Sequence, residues 1–272
     1  MPRIEFLNLG FIGSGHWGMF YLGLTELQSL LKEVLISGDI DRHSIKNLYA
    51  RANVNFYSSK GSYFTLTQRR FDAIIVAGWP HKLPGELIGV IDCPIVNIHA
   101  SLLPRYRGPE PIIQQILHNE DNGGVTLHKL DYDWDSGPIC CQVAFKIEPF
   151  DNNQTLFLKA ARAGRKALNL FLEELAEGAV RFTPQDERQA TYYHRLRLAD
   201  LLVDHSKTRE QVDTMHRAFY GQYPLLCYFD GRLYRIEKYR LDHDRIDGGP
   251  IIKLKDGYLQ PVAYYPLQPH PT

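Results

Sequence analysis

Apolar and polar residues follow one another along the first half of the chain in blocks that predict strands separated by helices. Four apolar, β-branched blocks are present, at residues 4–11, 34–37, 73–76 and 95–98. Continuous apolar strands divided by helical stretches are typical of a parallel sheet that is covered on both faces. The pattern therefore predicts an α/β fold with a Rossmann-like, doubly wound and mostly parallel sheet.

The second half of the chain begins with one long amphipathic helix, predicted over residues 153–178. Residues 190–204 and 210–219 are also predicted to be helical. Short aromatic and β-branched runs follow, and the Asp-Gly pairs at 230–231 and 256–257 are typical of hairpin turns. We therefore expect a small C-terminal helix-plus-antiparallel-β domain.

The change of pattern near residue 185 sets the predicted domain boundary. Residues 1–185 are expected to form the first domain and residues 186–272 the second. With 272 residues, 44% of them hydrophobic and 23% charged, the composition indicates a globular protein with one large core and a smaller one.

Charge and cysteine usage narrow the class of protein further. The 31 Lys and Arg residues balance the 31 Asp and Glu residues, so we expect no nucleic acid as a partner. There is no CxxC pair, no HExxH motif, no signal peptide and no apolar run of the roughly 20 residues that span a bilayer. A soluble, cytoplasmic protein without a metal site or membrane contact is expected.

A glycine-rich turn follows the first predicted strand. Residues 13–18 read Gly-Ser-Gly-His-Trp-Gly and match the GxGxxG dinucleotide-binding fingerprint, with Asp39 or Asp41 about twenty residues further on. The alternative is that any tight strand-to-helix turn in such a sheet favours glycine. Trp17 places a large side chain where the phosphates should approach, so we expect neither NAD nor NADP to bind there.

Candidate catalytic residues lie at the end of the fourth predicted strand. Asn97 and His99 are two residues apart, so both side chains point to the same face and can converge on one reacting atom. Further on, Asp135-Ser136-Gly137 gives a carboxylate in a tight turn, from which it can orient a histidine or take a proton. A solvated acidic turn is the alternative for Asp131, Asp133 and Asp135.

The loop between these motifs reads Ser101-Leu102-Leu103-Pro104-Arg105-Tyr106-Arg107-Gly108. Pro104 fixes a bend, and the two arginines supply cationic groups suited to an anionic acceptor. Together the motifs resemble the folate-dependent formyltransferase family, which includes methionyl-tRNA formyltransferase, glycinamide ribonucleotide formyltransferase and the sugar N-formyltransferases. The family pattern is an Asn-x-His strand, a Ser-Leu-Leu-Pro-x-x-Arg-Gly loop and an Asp-Ser/Thr-Gly turn, and all three are present here.

The resemblance implies the formyltransferase fold, with residues 1–185 as the catalytic domain. It implies formyl transfer from 10-formyltetrahydrofolate, the co-substrate, to a primary amine. Asn97 and His99 would stabilise the oxyanion, while Asp135 would hold His99 and receive, directly or through water, the proton lost by the amine. No GxSxG elbow is present, so a covalent enzyme intermediate is not indicated.

The resemblance also implies a pterin pocket between two loops. Its predicted cofactor-binding residues are Gly78, Trp79, Pro80, His81, Lys82, Leu83, Leu130, Asp131, Tyr132 and Asp133. Packing at a sheet end would explain Trp79 and Pro80 equally well. The predicted acceptor-binding residues are Ser101, Arg105, Tyr106, Arg107, Gly108, Tyr220 and Tyr223, with a core role as the alternative for Tyr220 and Tyr223.

The charge of the second domain bears on the acceptor. Residues 186–272 contain 13 Lys and Arg and 12 Asp and Glu, a difference of one, whereas tRNA-formylating members carry a longer, basic C-terminal domain. We therefore expect a nucleotide-linked amino sugar, such as a dTDP-sugar, whose pyrophosphate Arg105 or Arg107 could meet. Amino-acid-type amines, such as siderophore or peptide precursors, and methionyl-tRNA are the alternatives.

Two hypotheses of other classes stay open. One is an NAD-dependent oxidoreductase that uses the turn at residues 13–18, and the other is a protein that binds folate without turnover. Binding of reduced folate compared with NAD, followed by a turnover assay, separates all three. The oligomeric state, a homodimer included, is not determined by the sequence.

Overall fold

Parallel strands build the centre of the larger sheet. The computed structural model describes residues 4–37, 52–58, 60–245 and 248–267, and within them this sheet has seven strands in the order β3-β2-β1-β4-β5-β6-β7. The strands are β1 Leu9–Ser14, β2 Leu31–Ser37, β3 Asn53–Phe56, β4 Ala73–Ala77, β5 Ile95–His99, β6 Asn122–Lys129 and β7 Ile139–Lys146. Neighbours from β3 to β5 pair in parallel, whereas β6 pairs with β5 antiparallel, which confirms the predicted sheet.

Burial explains which strands the sequence pattern could predict. All five residues of β4 are buried, as are the first five of β1, and such continuous apolar runs are easily recognised. The predicted first strand was too long, because Ile4–Phe6 forms a short 3₁₀ turn without buried residues and β1 begins at Leu9. The half-buried β3 was not predicted.

Helices flank these strands along the chain. They are α1 Gly15–Leu22, α2 Thr25–Gln28, α3 Gly85–Val90, α4 Pro111–Leu117, α5 Asn153–Ala176 and α6 Arg209–Phe219, with 3₁₀ turns at Ile4–Phe6, Lys60–Thr67, Glu187–Gln189 and Leu198–Leu201. In the part of the chain that the structure describes, none of these helices combines the length and the apolar character needed to cross a membrane.

The two long predicted helices of the second half had different outcomes. The helix at 153–178 is confirmed as α5, whose buried stripe recurs every three or four residues, at Leu156, Ala160, Ala163, Ala167 and Phe171. The helix predicted at 190–204 is wrong. These residues are extended apart from one 3₁₀ turn, because their backbone groups bond to a distant loop, as in the hydrogen bond from Arg107 N to the Thr191 carbonyl.

A second, antiparallel sheet lies near the end of the chain. Among the described residues its strand order is β10-β11-β9-β8, formed by β8 Leu225–Phe229, β9 Arg232–Asp242, β10 Ile252–Leu254 and β11 Gly257–Pro266. Asp230 and Gly231 both have positive φ, 46° and 72°, as the tight turn between β8 and β9 requires. Both Asp-Gly hairpins are thus confirmed, together with the antiparallel character of this sheet.

Two compact units divide the chain. The first contains Met1–Pro111, Gly123–Phe145 and Lys159–Tyr192, and the second contains Ile112–Asn122, Lys146–Leu158 and Tyr193–Thr272. The predicted domain boundary at residue 185 stays a prediction.

The glycine-rich turn at residues 13–18 has a packing explanation. Gly15 starts α1 with a φ of 59°, and a side chain at Gly18 would approach the Ala77 carbonyl oxygen to 2.7 Å. Trp17 donates from Nε1 to the Ile98 carbonyl at 2.8 Å. Gly15 and Gly18 therefore each have a backbone reason to be there, and the proposed ribose-binding Asp39 and Asp41 lie outside the described residues.

Gly18→Ala should destabilise the protein by about 1–3 kcal/mol, because the added methyl group meets backbone atoms that cannot move aside. The matched control is Gly89→Ala in α3, where the added methyl group has open space and alanine favours the helix by up to about 1 kcal/mol. Urea denaturation of both variants measures the difference. Equal stabilities for the two variants would contradict the packing role of Gly18.

Candidate active site

Strand β5 delivers two of the predicted catalytic residues to one face of the sheet. Asn97 and His99 are its third and fifth residues, and β5 ends there. The antiparallel register with β6 pairs Asn97 with His128, so that these two side chains lie on the same face. His128 is fully buried, with Nε2 3.1 Å from Nδ2 of Asn97. The sequence analysis missed His128, because only the strand register brings it to the site.

His99 is held in one tautomer by the loop that follows it. Its side chain is buried, and Nε2 lies 2.8 Å from the carbonyl oxygen of Tyr106. A carbonyl only accepts hydrogen bonds, so Nε2 carries the proton. In the neutral ring Nδ1 is then the atom that can take a proton, and it lies 3.5 Å from Oδ1 of Asp135.

Asp135 is a buried carboxylate with partners from three segments. Its Oδ2 accepts from Gly108 N at 2.9 Å, and its Oδ1 accepts from Asn97 Nδ2 at 3.3 Å and lies 3.5 Å from His128 Nε2. The residue itself has a left-handed φ of 53°. Gly137 in the same turn passes so close to the Lys129 carbonyl that any side chain would overlap it. The turn therefore requires glycine at position 137, and Asp is one of the residues that tolerate the left-handed conformation at position 135.

The protein environment favours the neutral form of His99 and the ionised form of Asp135. Burial lowers the pKa of His99, and the nearby Asp135 carboxylate only partly opposes this. Burial alone would raise the pKa of Asp135, but His99, His128 and the N–H of Gly108 outweigh it and hold that pKa well below its usual range. At neutral pH the site therefore combines a neutral imidazole with an ionised carboxylate. Such a pair can accept a proton and stabilise the imidazolium that results.

A cleft of about 660 Å³ lies among the predicted cofactor-binding residues. It is lined by Tyr57, Pro80, His81, Lys82, Leu83, Pro84, Gly85, Glu86 and Tyr132. Lys82 and Asp133, from the two predicted loops, approach each other to 3.8 Å at the surface. Five of the predicted residues thus line one cleft, and Tyr57 is an addition that sequence reasoning did not find.

Aromatic rings form one side of this cleft. The Tyr57 ring stacks on His81, with ring centres 4.6 Å apart and planes at 28°. Trp79 is buried and donates from Nε1 to the Tyr63 hydroxyl at 2.9 Å, so its contacts are those of a core residue.

The remaining predicted cofactor residues lie near this cleft along the chain. Gly78 is exposed directly after β4, and Asp131 is exposed and accepts from the N–H of Tyr132 at 2.7 Å. Leu130 is half-buried and packs against the apolar core. Their predicted contacts with a cofactor stay predictions.

The predicted acceptor residues separate into exposed and buried ones. Arg105 is exposed, with its guanidinium carbon 5.1 Å from the centre of the Tyr106 ring. Ser101 and Tyr106 are buried, and the Ser101 hydroxyl donates to the Arg105 carbonyl at 2.7 Å. Gly108 contacts Asp135 through its N–H. Of the predicted residues in this loop, Arg105 has the exposure that an acceptor contact needs.

Arg107 needs a correction. Its side chain is fully buried, and all three guanidinium nitrogens donate within the protein, to Gln185, Glu187 and Tyr192. A guanidinium committed in this way is not positioned to bind a pyrophosphate, so the predicted ligand contact does not fit the structure. The sequence alone could not distinguish this buried arginine from the exposed one two residues earlier.

Tyr220 and Tyr223 belong to the second unit. Tyr220 is exposed, whereas Tyr223 is half-buried, with its ring centre 6.3 Å from that of Phe219. Their predicted role in acceptor binding stays a prediction. Within the residues that the structure describes, no group of three or more His, Cys, Asp or Glu side chains is arranged to hold a metal ion.

Residues 59–172, a region that contains Asn97, His99 and Asp135, match the formyl transferase family model. Methionyl-tRNA formyltransferase from Kosmotoga olearia is 35% identical over 162 residues, which are 59% of this chain and 52% of that protein. The chain thus spans about half the length of this relative.

Solved structures show the same fold at lower identity. An N-formyltransferase from Helicobacter canadensis has a TM-score of 0.66 at 19% identity, covering 93% of this chain and 97% of that one. WlaRD, a sugar 3N-formyltransferase, has a TM-score of 0.63 at 20% identity, covering 97% of this chain and 99% of that one. These similarities confirm the predicted formyltransferase fold.

The lowered pKa of His99 makes a prediction about stability. Above the usual histidine pKa of about 6.5 the folded and unfolded chains both carry neutral His99, but as the pH falls below it the unfolded chain takes up the proton first. This histidine therefore contributes stability that is lost as the pH falls towards 5. In His99→Asn the free energy of unfolding should decline less steeply between pH 7 and pH 5, measured by urea denaturation. Parallel declines in both proteins would contradict this.

Proposed function

We propose that this chain transfers a formyl group from 10-formyltetrahydrofolate to a primary amine. The observation that supports this most directly is the buried cluster of Asn97, His99 and Asp135 at the end of β5, in which each side chain contacts another. A donor amide, a neutral imidazole and an ionised carboxylate are the groups that an acyl transfer between nitrogens needs.

The chemistry follows from these groups. The acceptor amine attacks the formyl carbon, and the carbonyl oxygen becomes an oxyanion, to which the Asn97 amide can donate in exchange for one of its hydrogen bonds to His128 and Asp135. The amine then loses a proton, which His99 Nδ1 is placed to accept while the Asp135 carboxylate, 3.5 Å away, stabilises the imidazolium. When the bond between the formyl carbon and N10 of the folate breaks, N10 takes up a proton, and the His99 imidazolium can return the proton that it accepted from the amine. Formylated amine and tetrahydrofolate are the products, so atoms and charges balance.

The cleft beside residues 80–86 is the proposed folate site. Its volume, about 660 Å³, is within the range of small-molecule pockets, and Tyr57 and His81 offer flat surfaces for a heteroaromatic ring. Two structural neighbours support a folate as the ligand, since the Helicobacter canadensis enzyme was crystallised with folinic acid and WlaRD with 5-N-formyl-tetrahydrofolate.

We expect the turnover number to fall by about a hundredfold or more in each of three variants, because oxyanion donors and proton-transfer groups typically contribute that much. The variants are Asn97→Ala, His99→Ala and Asp135→Asn. Formylated product is measured by mass spectrometry with 10-formyltetrahydrofolate as donor. His194→Ala, a change at an exposed histidine, is the matched control and should retain wild-type turnover. Wild-type rates for His99→Ala would rule out the proposed mechanism.

The proposed acceptor is a small, nucleotide-linked amino sugar. The near-balanced charge of residues 186–272 and the exposed Arg105 support it, since one guanidinium suits one pyrophosphate. The Helicobacter canadensis enzyme was crystallised with dTDP-3-aminofucose and WlaRD with dTDP. The second candidate is methionyl-tRNA, which is favoured by the 35% identity to a methionyl-tRNA formyltransferase. An amino-acid-type amine is the third.

Incubation with 10-formyltetrahydrofolate and a panel of uridine- and thymidine-linked 3-amino and 4-amino sugars should yield a product heavier by one formyl group. Arg105→Ala should raise the KM for that acceptor by about tenfold or more, since charge-assisted hydrogen bonds to a phosphate contribute on the order of 1.5–3 kcal/mol. Arg195→Ala, at an exposed arginine, serves as the control. Efficient formylation of initiator methionyl-tRNA with every amino sugar untouched would show that this acceptor is wrong.

A further inference from the structure

The segment at residues 185–192, which contains the 3₁₀ turn Glu187–Gln189, runs against both loops that carry the catalytic groups. We name it the strap. Its side chains and backbone bond to the loop that follows β5 and to the turn that contains Asp135, all within the first unit. The sequence pattern predicted a helix that would have included only the last part of it, residues 190–192.

Gln185 joins the strap to the catalytic turn. Its Nε2 donates to the carbonyl oxygens of Asp135 at 2.8 Å and Gly137 at 2.7 Å, the residues on either side of Ser136. Its Oε1 accepts from Nη2 of Arg107 at 2.7 Å and from Nε at 3.1 Å. One amide side chain therefore links the catalytic turn to a buried guanidinium on the other catalytic loop.

The buried guanidinium of Arg107 is hydrogen-bonded to three side chains of the strap. A buried cation must be paired to be tolerated, and Glu187 supplies that pairing with Nη2 to Oε1 at 2.6 Å and Nη1 to Oε2 at 2.9 Å. The Tyr192 hydroxyl accepts from Nη1 at 2.6 Å. Breaking the strap away would leave this guanidinium unpaired, so the strap and the loop are expected to move together.

Thr191 holds the loop on the His99 side. Its Oγ1 accepts from Tyr106 N at 2.8 Å, and its carbonyl accepts from Arg107 N at 2.9 Å. The carbonyl of Tyr106 in turn accepts the His99 Nε2 proton, 2.8 Å away. The orientation of the imidazole thus depends on a peptide unit that the strap fixes.

We infer that Gln185 and Thr191 are positioning residues, through which the strap holds the Asp135 turn and the Tyr106 peptide in the alignment that sets His99 beside Asp135. The inference rests on the proposed function for its effect on turnover, but the alignment itself can be measured separately. Misplacement of a reacting group by about 1 Å can cost on the order of a hundredfold in rate.

Gln185→Glu tests the hydrogen bonds between the strap and the turn that contains Asp135. The new carboxylate still accepts from Arg107 but faces two carbonyl oxygens where the amide used to donate. We expect kcat to fall by about tenfold or more while the KM for folate stays within about twofold, because no cleft-lining residue changes. Amide hydrogen exchange should accelerate in residues 131–138. Gln189→Glu, the same change at an exposed position of the strap, removes a hydrogen bond to Asp186 at 3.0 Å but should alter neither kcat nor the exchange of residues 131–138.

Thr191→Val tests the hydrogen bond between the strap and Tyr106 N. Valine has nearly the same shape as threonine but lacks the hydroxyl. It removes the acceptor for Tyr106 N, so exchange should accelerate in residues 103–108 and kcat should fall. Thr191→Ser keeps the hydroxyl and should restore both readouts towards wild type, which a merely structural role of the side-chain volume would not do. This variant also decides the question if Gln185→Glu fails to fold.

Three results would overturn the inference: unchanged exchange in both loops, faster exchange with wild-type kcat, or no rescue by Thr191→Ser. If the wild-type protein transfers no formyl group to any acceptor, the proposed function fails. The exchange measurement would then still test the strap separately. Faster amide exchange of residues 103–108 and 131–138 in the variants, without a change in Gln189→Glu, would support the conclusion that the strap orders the two loops.

Discussion

Burial of the Asp135 carboxylate is the constraint on which the rest of the site depends. A buried charge costs several kcal/mol unless hydrogen bonds and neighbouring charges compensate it. Here the compensation comes from Asn97 on β5, from Gly108 on the loop that follows and from His128 on β6. The register between β5 and β6 and the path of the loop are therefore linked to this one side chain.

The same burial sets the chemistry of the neighbouring histidine. Removing His99 from water lowers its pKa, so the imidazole is neutral at neutral pH. Because Nε2 is committed to the Tyr106 carbonyl, the vacant position is Nδ1, which faces Asp135. A neutral base beside a fixed anion can take up a proton without any other charge having to move, which is the property that formyl transfer to an amine requires.

Short-range patterns predicted the parts of this arrangement that depend on neighbours in sequence. Alternation on one strand placed Asn97 and His99 on one face, and the Asp-Ser-Gly motif identified Asp135. His128 was missed, because its place depends on strand register. Arg107 was misassigned, because burial of a cation is decided by distant partners. The region at 190–204 has helix-favouring residues, yet its long-range hydrogen bonds to the loop stabilise an extended conformation.

The central claim is that the cluster at the end of β5 is a formyl-transfer centre served by the cleft at residues 80–86. A crystal structure of the protein with 5-formyltetrahydrofolate tests it most directly. The account predicts the pterin in the cleft beside Tyr57 and His81, with the formyl group directed towards Asn97 and His99. Folate bound elsewhere on the protein, or a formyl group directed away from Asn97 and His99, would contradict it.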